Sequence, residues 1–131
     1  MTIKHPEFLV ETDWLAAHLE DADIRVLDCT AFNRPDDRGG IRAESGHDSW
    51  EIEHIPGAGH ADLVNDLSDK DALFRYMLPP VEQFARSFSK YGVGAGTRAI
   101  LYDSTSGSWA TRIWWMLRAF GFNDASILNG G

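Results

Sequence analysis

Short apolar runs alternate along the chain with longer segments in which apolar residues recur every three or four positions. The runs predict buried strands over residues 8–10, 24–27, 98–102 and 125–128, with a weaker fifth candidate around 59–62. Because helical segments separate these runs, the pattern is typical of an α/β domain with a parallel sheet and helices on both of its faces.

The helical segments combine apolar periodicity with residues that start or stop helices. Four helices are expected: one capped by Thr12, a short one over 49–54, one with Pro80 in its first turn and Gly92 at its end, and one over 109–120 closed by Gly121. The last has the strongest pattern, since Ile113, Trp114 and Leu117 recur at helical spacing before the glycine.

Ligand sites in such folds lie at the carboxyl ends of the strands. Two segments are predicted at that edge. Residues 28–47 are predicted to form a long polar loop with charges of both signs, and loops of this length are often functional or mobile. The other segment comprises Asp103, Ser104, Thr105, Ser106, Gly107 and Ser108. It joins a strand directly to a helix, and backbone N–H groups in such a loop form an anion cradle.

Asp103 is itself an anion at the start of this cradle, and two roles are open to it. It could cap its own loop by accepting hydrogen bonds from the N–H groups around Ser106 and Gly107. It could instead be a nucleophile such as a phosphoaspartate acceptor, with Asp28 helping to hold Mg²⁺. Thr105 stands where that second chemistry would need another carboxylate, so the capping role is favoured.

Several short motifs follow one another in order along the chain. They are His54-Ile55-Pro56-Gly57-Ala58, Asp62, Met77-Leu78-Pro79, Tyr102-Asp103, Arg112, Trp114-Trp115-Met116-Leu117-Arg118, Phe120-Gly121 and Leu128-Asn129-Gly130-Gly131. In this order they resemble the rhodanese superfamily over nearly the whole chain. More narrowly, they resemble the N-terminal domain of tandem-domain thiosulfate and 3-mercaptopyruvate sulfurtransferases.

The resemblance implies a rhodanese-like five-stranded parallel sheet with an active-site loop after the strand that ends at Tyr102. In catalytic rhodanese domains that loop begins with a cysteine, which takes sulfane sulfur from a donor as a persulfide and passes it to a thiophile. Asp103 stands at that position, so residues 103–108 would form a degenerate active-site loop and this domain would hold no catalytic residue.

By the same resemblance, the catalytic cysteine would lie in a separate C-terminal domain in cis, and the whole enzyme would take a small anionic sulfur donor. The family continues beyond the position of Gly131 with a further helix, a linker and that catalytic domain. We therefore expect residues 1–131 to be one rhodanese-like domain, the N-terminal half of a longer protein, lacking the final helix of the fold. The alternative is a stand-alone rhodanese-like binding or regulatory module without enzymatic activity.

Some residues admit both a structural and a functional interpretation. Cys29 ends a buried strand and is expected to be a small core residue rather than a reactive thiol. Phe32 and Trp109 border the two strand-end loops. They could form part of the wall of the catalytic pocket of a partner domain, or they could belong to the core. A metal site at His47, His54 and His60 is not favoured, because their spacing does not place them on one helix face.

Composition narrows the class of protein further. The chain has 131 residues, enough for one domain, and a formal net charge of −8, which argues against nucleic acid and membranes as partners. A single cysteine excludes an internal disulfide framework. Without a membrane-length apolar run or an apolar signal region, a cytoplasmic location is expected. No cofactor is implied.

Overall fold

The computed structural model describes residues 8–69 and 77–129, so the two final glycines of the Leu128–Gly131 motif lie outside the described residues. The elements, in chain order, are β1 (Leu9–Val10), α1 (Thr12–His18), β2 (Ile24–Asp28), β3 (Ala31–Pro35), β4 (Ile41–Ser45), α2 (His47–Ile52), β5 (Gly59–His60), α3 (Val81–Lys90), β6 (Arg98–Tyr102), α4 (Ser108–Ala119) and β7 (Ala125–Leu128). None of the described helices is both long and apolar enough to cross a membrane.

The described residues form a five-stranded, all-parallel sheet in the order β1-β7-β6-β2-β5, which confirms the predicted fold class. Asp28, the last residue of β2, pairs in register with Tyr102 of β6 on one side and with His60 of β5 on the other. This register brings the ends of three strands level with one another, and the loops that follow them therefore share one edge.

Side chains of the strands alternate between the two faces of the sheet, as the period of two requires. Leu27, Leu101 and Ala99 point to one face, where they pack with α3 and α4. Val26 and Ile100 point to the other face, where Leu15 of α1 covers them. The predicted arrangement of helices on both faces is thus confirmed.

The prediction of one long loop over residues 28–47 is wrong, because the segment contains two strands. This segment contains the antiparallel hairpin of β3 and β4, in which Phe32 lies opposite Glu44. The Nε of Arg34 lies 2.8 Å from a carboxylate oxygen of Glu44. Of the ten strand residues of the hairpin only Ala31 is buried, so the sequence shows charges rather than the alternation of apolar and polar residues by which half-buried strands are recognised.

Helix boundaries differ from the predicted ones by one or two residues. Glu11, not Thr12, is the N-cap of α1, since the carbonyl of Glu11 already accepts the N–H of Leu15. Likewise α2 spans His47–Ile52 instead of 49–54, Pro80 caps α3 from outside its first turn, and α4 begins at Ser108 and ends at Ala119. The predicted stop at Gly121 is confirmed by its φ of 92°, a conformation that favours glycine.

Candidate functional site

The loop after β6 is organised around the Asp103 carboxylate. Its Oδ1 atom accepts the backbone N–H of Thr105 at 2.9 Å, the hydroxyl of Thr105 at 2.8 Å and the N–H of Gly107 at 3.0 Å. Its Oδ2 atom accepts the N–H of Ala110, in the first turn of α4, at 2.9 Å. The anion cradle predicted from the sequence is therefore occupied by a side chain of its own loop.

These hydrogen bonds determine the charge state of Asp103, which is only 1% exposed to solvent. Burial alone would raise the pKa of its carboxyl group, but the N–H groups of Ala110, Gly107 and Thr105 more than offset burial and hold that pKa below its usual value. Asp103 is consequently an anion at neutral pH. The capping role is confirmed, with Thr105 and Ala110 as donors beside the expected Gly107.

The same geometry speaks against a phosphoaspartate role for Asp103. A nucleophilic carboxylate needs an oxygen that a phosphoryl group can approach. Here both oxygens accept hydrogen bonds from the loop and α4, and the side chain is buried.

A buried hydroxyl links this loop to the end of β2. The Thr30 hydroxyl donates to Oδ1 of Asp28 at 2.6 Å and accepts the N–H of Ser104 at 2.9 Å. Thr30 is 1% exposed and Asp28 is 2% exposed, so their hydrogen bond is protected from water, whereas Ser104 at the other end of the bridge is exposed. Sequence reasoning missed Thr30, although an Asp followed two residues later by a Thr is a common local turn pattern that could have pointed to it.

Tyr102 connects the same edge to the turn of the His54–Ala58 motif. Its hydroxyl accepts the N–H of Ile55 at 3.0 Å. Burial raises the pKa of Tyr102 to about 12, the Ile55 N–H opposes this increase, and the negative charge of Asp28 adds to it. Tyr102 is therefore a neutral structural phenol, and it holds the turn against the strand ends.

Two cavities flank the loop of residues 103–108. One, of about 600 Å³, lies between the loop and the ends of β7 and β1 and is lined by Thr105, Ser106 and Asn129 among others. The other, of about 390 Å³, lies between the ends of β2 and β6 and the end of α2, with Asp28, Glu53 and Ser104 in its walls. Asp103 lies in the walls of both, so the negative charge of its buried carboxylate acts at short range on any ion that enters either of them.

Phe32 and Trp109 occupy different surroundings. Phe32 is half-buried on β3, with the guanidinium of Arg34 4.3 Å from the centre of its ring. It lines a third cavity, of about 340 Å³, between the hairpin and α2. Trp109 is half-buried in the first turn of α4 and packs against the core on the α3 and α4 side.

Cys29 lies just beyond β2 and is fully buried. Its N–H donates to the carbonyl of Tyr102 at 2.7 Å, which fixes the residue against β6. Burial, reinforced by the charges of Asp28 and Asp103, raises the pKa of the thiol well above its usual value. The thiol form is inert toward electrophiles, in keeping with the expected core role.

We expect native Cys29 to react with a thiol reagent such as dithionitrobenzoate roughly 100-fold more slowly than the unfolded chain, because reaction requires opening of the core. The rate of colour release in buffer and in urea measures this difference. Cys29→Ser should abolish the signal in both, and equal rates in the two solvents would contradict the burial of the thiol.

The three histidines for which a metal site was not favoured lie near one another. Their rings surround the indole of Trp50 on α2, with ring centroids at 5.3 Å for His47, 4.8 Å for His54 and 6.2 Å for His60. Helix spacing alone does not show this proximity, because it arises from the turn after α2 and from β5, which places His60 beside the helix.

The parallel sheet of this α/β domain, with its strand-to-helix loop between β6 and α4, can be compared with known protein families. Residues 11–131 match the model of the rhodanese-like domain. The chain therefore belongs to the rhodanese-like domain family, as its motifs suggested.

Related proteins support this assignment. The chain is 44% identical over 129 residues to the human 3-mercaptopyruvate sulfurtransferase, covering 94% of this chain and 41% of the relative. It is 37% identical over 125 residues to thiosulfate/3-mercaptopyruvate sulfurtransferase 2 of Arabidopsis thaliana, covering 95% of this chain and 34% of the relative. The chain thus spans well under half the length of these relatives.

Comparison with solved structures also supports the assignment to the rhodanese-like domain family. The crystal structure of SseA from Escherichia coli, described as a 3-mercaptopyruvate sulfotransferase with the rhodanese fold, matches with a TM-score of 0.81 and 35% sequence identity. The match covers 95% of this chain and 45% of SseA.

Proposed function

We propose that this chain is the non-catalytic rhodanese domain of a cytoplasmic sulfurtransferase. The transfer itself would use a cysteine persulfide in a separate C-terminal domain. The observation that carries the proposal is Asp103, which stands at the head of the strand-to-helix loop where a catalytic rhodanese domain has its cysteine.

Asp103 cannot perform the reaction of that cysteine. A carboxylate has no sulfur with which to form a persulfide, and both of its oxygens are held by hydrogen bonds from its own loop and α4. Its fixed charge also repels an anionic donor such as thiosulfate from the two cavities that it borders. The Asp103 carboxylate thus occupies the loop, and its charge disfavours the binding of an anionic sulfur donor.

The names of the relatives support the substrate class. They are sulfurtransferases of thiosulfate, of 3-mercaptopyruvate or of both. In the whole protein the cysteine thiolate would attack the outer sulfur of thiosulfate, which breaks the S–S bond and releases sulfite. With 3-mercaptopyruvate it would attack the thiol sulfur, which breaks the C–S bond and releases the enolate of pyruvate, and the enolate carbon takes up the proton of the thiol. A thiophile such as cyanide would then take the terminal sulfur and leave as thiocyanate, which regenerates the thiolate.

The contribution of this domain would be to pack against the catalytic domain and to shape one wall of the donor site. Phe32 supports this role, since it lies half-exposed on the hairpin beside a cavity that also includes Ile52. Ile52 is 85% exposed, which is unusual for a large apolar side chain and fits a surface that a partner covers. Trp109 is a second candidate for the wall, at the start of α4.

The pure 131-residue chain is expected to form no thiocyanate from cyanide with either donor. Mass spectrometry after incubation with the donor should likewise show no gain of a sulfur atom on Cys29. Thiocyanate formation that Cys29→Ser abolishes would overturn the proposal and identify Cys29 as the nucleophile.

The encoded sequence downstream of residue 131 distinguishes a domain of a sulfurtransferase from a stand-alone binding module. The proposal expects a second His-Ile-Pro-Gly-Ala-like turn followed by a loop that begins with cysteine. In the protein expressed from the whole gene, replacing that cysteine with serine should remove all sulfur transfer. A stop codon directly after residue 131 would favour the stand-alone module.

A further inference from the structure

The outward face of α4 carries aromatic and basic side chains. The inner face of this helix is buried against β6 and β7, in the core that it shares with α3. Residues three, four or seven positions apart lie on the same side of a helix. On the outer side of α4 this spacing selects residues that remain exposed or half-buried. We call them the α4 stripe, and they are Thr111, Arg112, Trp115, Arg118 and Ala119.

Trp115 lies at the centre of the α4 stripe. It is 46% exposed, which makes it the most exposed of the five tryptophans of the chain. The guanidinium carbon of Arg112 lies 5.1 Å from the centre of the Trp115 ring. Burying the rest of this indole would remove apolar surface from water, which favours association. Tryptophan and arginine are also, with tyrosine, the side chains that most often carry the binding energy of protein interfaces.

Arg118 is ordered by two other aromatic rings. Its guanidinium carbon lies 5.0 Å from the ring centre of Phe8 and 5.1 Å from that of Trp114, and these two ring centres are themselves 5.1 Å apart. Cation–π contacts of this kind use the charge of the guanidinium and not its N–H donors. Because Arg118 is exposed and already ordered, it can bind a carboxylate at a small cost in rotamer entropy.

The charge of α4 differs from that of the chain as a whole. The chain has a formal net charge of −8, whereas α4 contains two arginines and no acidic residue. At physiological ionic strength, charges more than about 8 Å away are largely screened, so the guanidinium groups of the stripe attract a short acidic ligand. Nucleic acids and anionic membranes extend beyond the stripe, and the acidic residues elsewhere on the chain repel them.

The spacing along α4 specifies the acidic ligand further. Arg112 and Arg118 are six residues apart, about 9 Å along the helix axis, with Trp115 midway between them. A second helix with carboxylates six or seven residues apart, and an apolar side chain between them, has the same spacing. Two helices packed side by side bring such side chains opposite one another.

We propose that the α4 stripe binds an acidic amphipathic helix of another protein. An apolar side chain of that helix covers Trp115, and its carboxylates pair with Arg112 and Arg118. Pairing of arginine with carboxylate adds directional hydrogen bonds to the attraction of opposite charges. The stripe lies on α4, over β6 and β7, whereas Phe32 and Ile52 line the cavity between the hairpin and α2. This contact is therefore separate from the interdomain contact proposed above.

Binding of a synthetic helix to the folded 131-residue chain tests this assignment. The probe is a fluorescein-labelled, alanine-rich peptide that contains the pattern Glu-x-x-Leu-x-x-Glu, and fluorescence anisotropy measures its affinity. Trp115→Ala should weaken binding of the probe by about tenfold or more, because the central apolar contact is lost. The affinity should also fall when the salt concentration is raised about tenfold, since ion pairs contribute to it.

Arg118→Glu is the decisive variant, because it reverses one charge of the stripe. It should weaken binding of the probe by about fivefold or more. A peptide with lysine in place of one or the other glutamate should then recover the affinity. Arg86→Glu is the matched control, since Arg86 is an exposed arginine on α3 outside the stripe, and it should leave the affinity unchanged. Circular dichroism verifies that each variant is folded.

Four results would overturn the acidic helix as the partner of the α4 stripe. The first two are absence of probe binding up to millimolar concentration and an equal loss of affinity in Arg86→Glu. The third is a dimer of the chain that Trp115→Ala abolishes, which would assign the stripe to a second copy. The fourth is binding to phosphatidylserine vesicles that depends on Trp115, which would assign the stripe to a membrane.

Discussion

Replacing Asp103 with alanine is expected to destabilise the domain by about 3 kcal/mol, because the loop would lose the acceptor around which it is built. The N–H groups of Thr105, Gly107 and Ala110 and the Thr105 hydroxyl would lose their common partner. Ala110 is 1% exposed, so its N–H cannot turn to water without opening the start of α4. The shift of the urea midpoint at constant slope measures the loss.

Asp103→Asn is the matched control, since it keeps the size of the side chain and removes the charge. Its amide oxygen can still accept from Thr105 and Gly107, but its NH₂ group meets the N–H of Ala110. We expect Asp103→Asn to destabilise the domain by roughly half as much as Asp103→Ala. A loss below 0.5 kcal/mol in Asp103→Ala, the range of ordinary surface substitutions, would contradict the central role of the carboxylate.

The pH dependence of the Asp103→Asn effect has a definite sign. The pKa of Asp103 is lower in the folded chain than in the unfolded one. The charged form therefore adds stability above the unfolded pKa of about 3.9, and this stability is lost as pH falls through the folded pKa. The difference in unfolding free energy between the two proteins should be constant near neutral pH and shrink in acid. Urea unfolding from pH 7 to pH 3 measures this difference.

The sheet could be predicted from the sequence because its strands are buried on both faces. Runs such as Arg98–Tyr102 are nearly continuous in apolar residues, and only burial selects such a composition. The β3–β4 hairpin could not be predicted in this way. Its position depends on pairing between its own two strands, and Ile41 at its far end is 51% exposed.

The candidate site was predictable where its contacts are local. Asp103 and Gly107 are four residues apart, so self-capping follows from known loop chemistry. The bridge from Thr30 to Ser104 spans 74 residues, and only the register of β2 and β6 brings these residues together. The proximity of His47 and His60 has the same origin, because it depends on the return of the chain at β5.

At Gly46 the addition of a single methyl group is expected to cause a large loss of stability. Gly46→Ala is expected to destabilise the domain by about 3 kcal/mol, because the added methyl group has no room. An added Cβ would overlap the carbonyl oxygen of Thr30 and lie 2.7 Å from its carbonyl carbon, and these backbone atoms cannot move aside by a rotamer change. The φ of Gly46 is −85°, which any residue adopts, so the effect is purely steric.

Displacing Thr30 would disturb the strand-end bridge as well as the hairpin, since Thr30 pairs with Asp28, Ser104 and His60. Urea unfolding of Gly46→Ala gives the free energy, and amide chemical shifts report whether Ser104 moves. Gly94→Ala is the matched control, because no atom lies within 4 Å of its added Cβ and its φ is not in the left-handed region. It should change stability by less than about 1 kcal/mol. Equal effects of the two substitutions would show that Gly46 and Thr30 do not approach as closely as described.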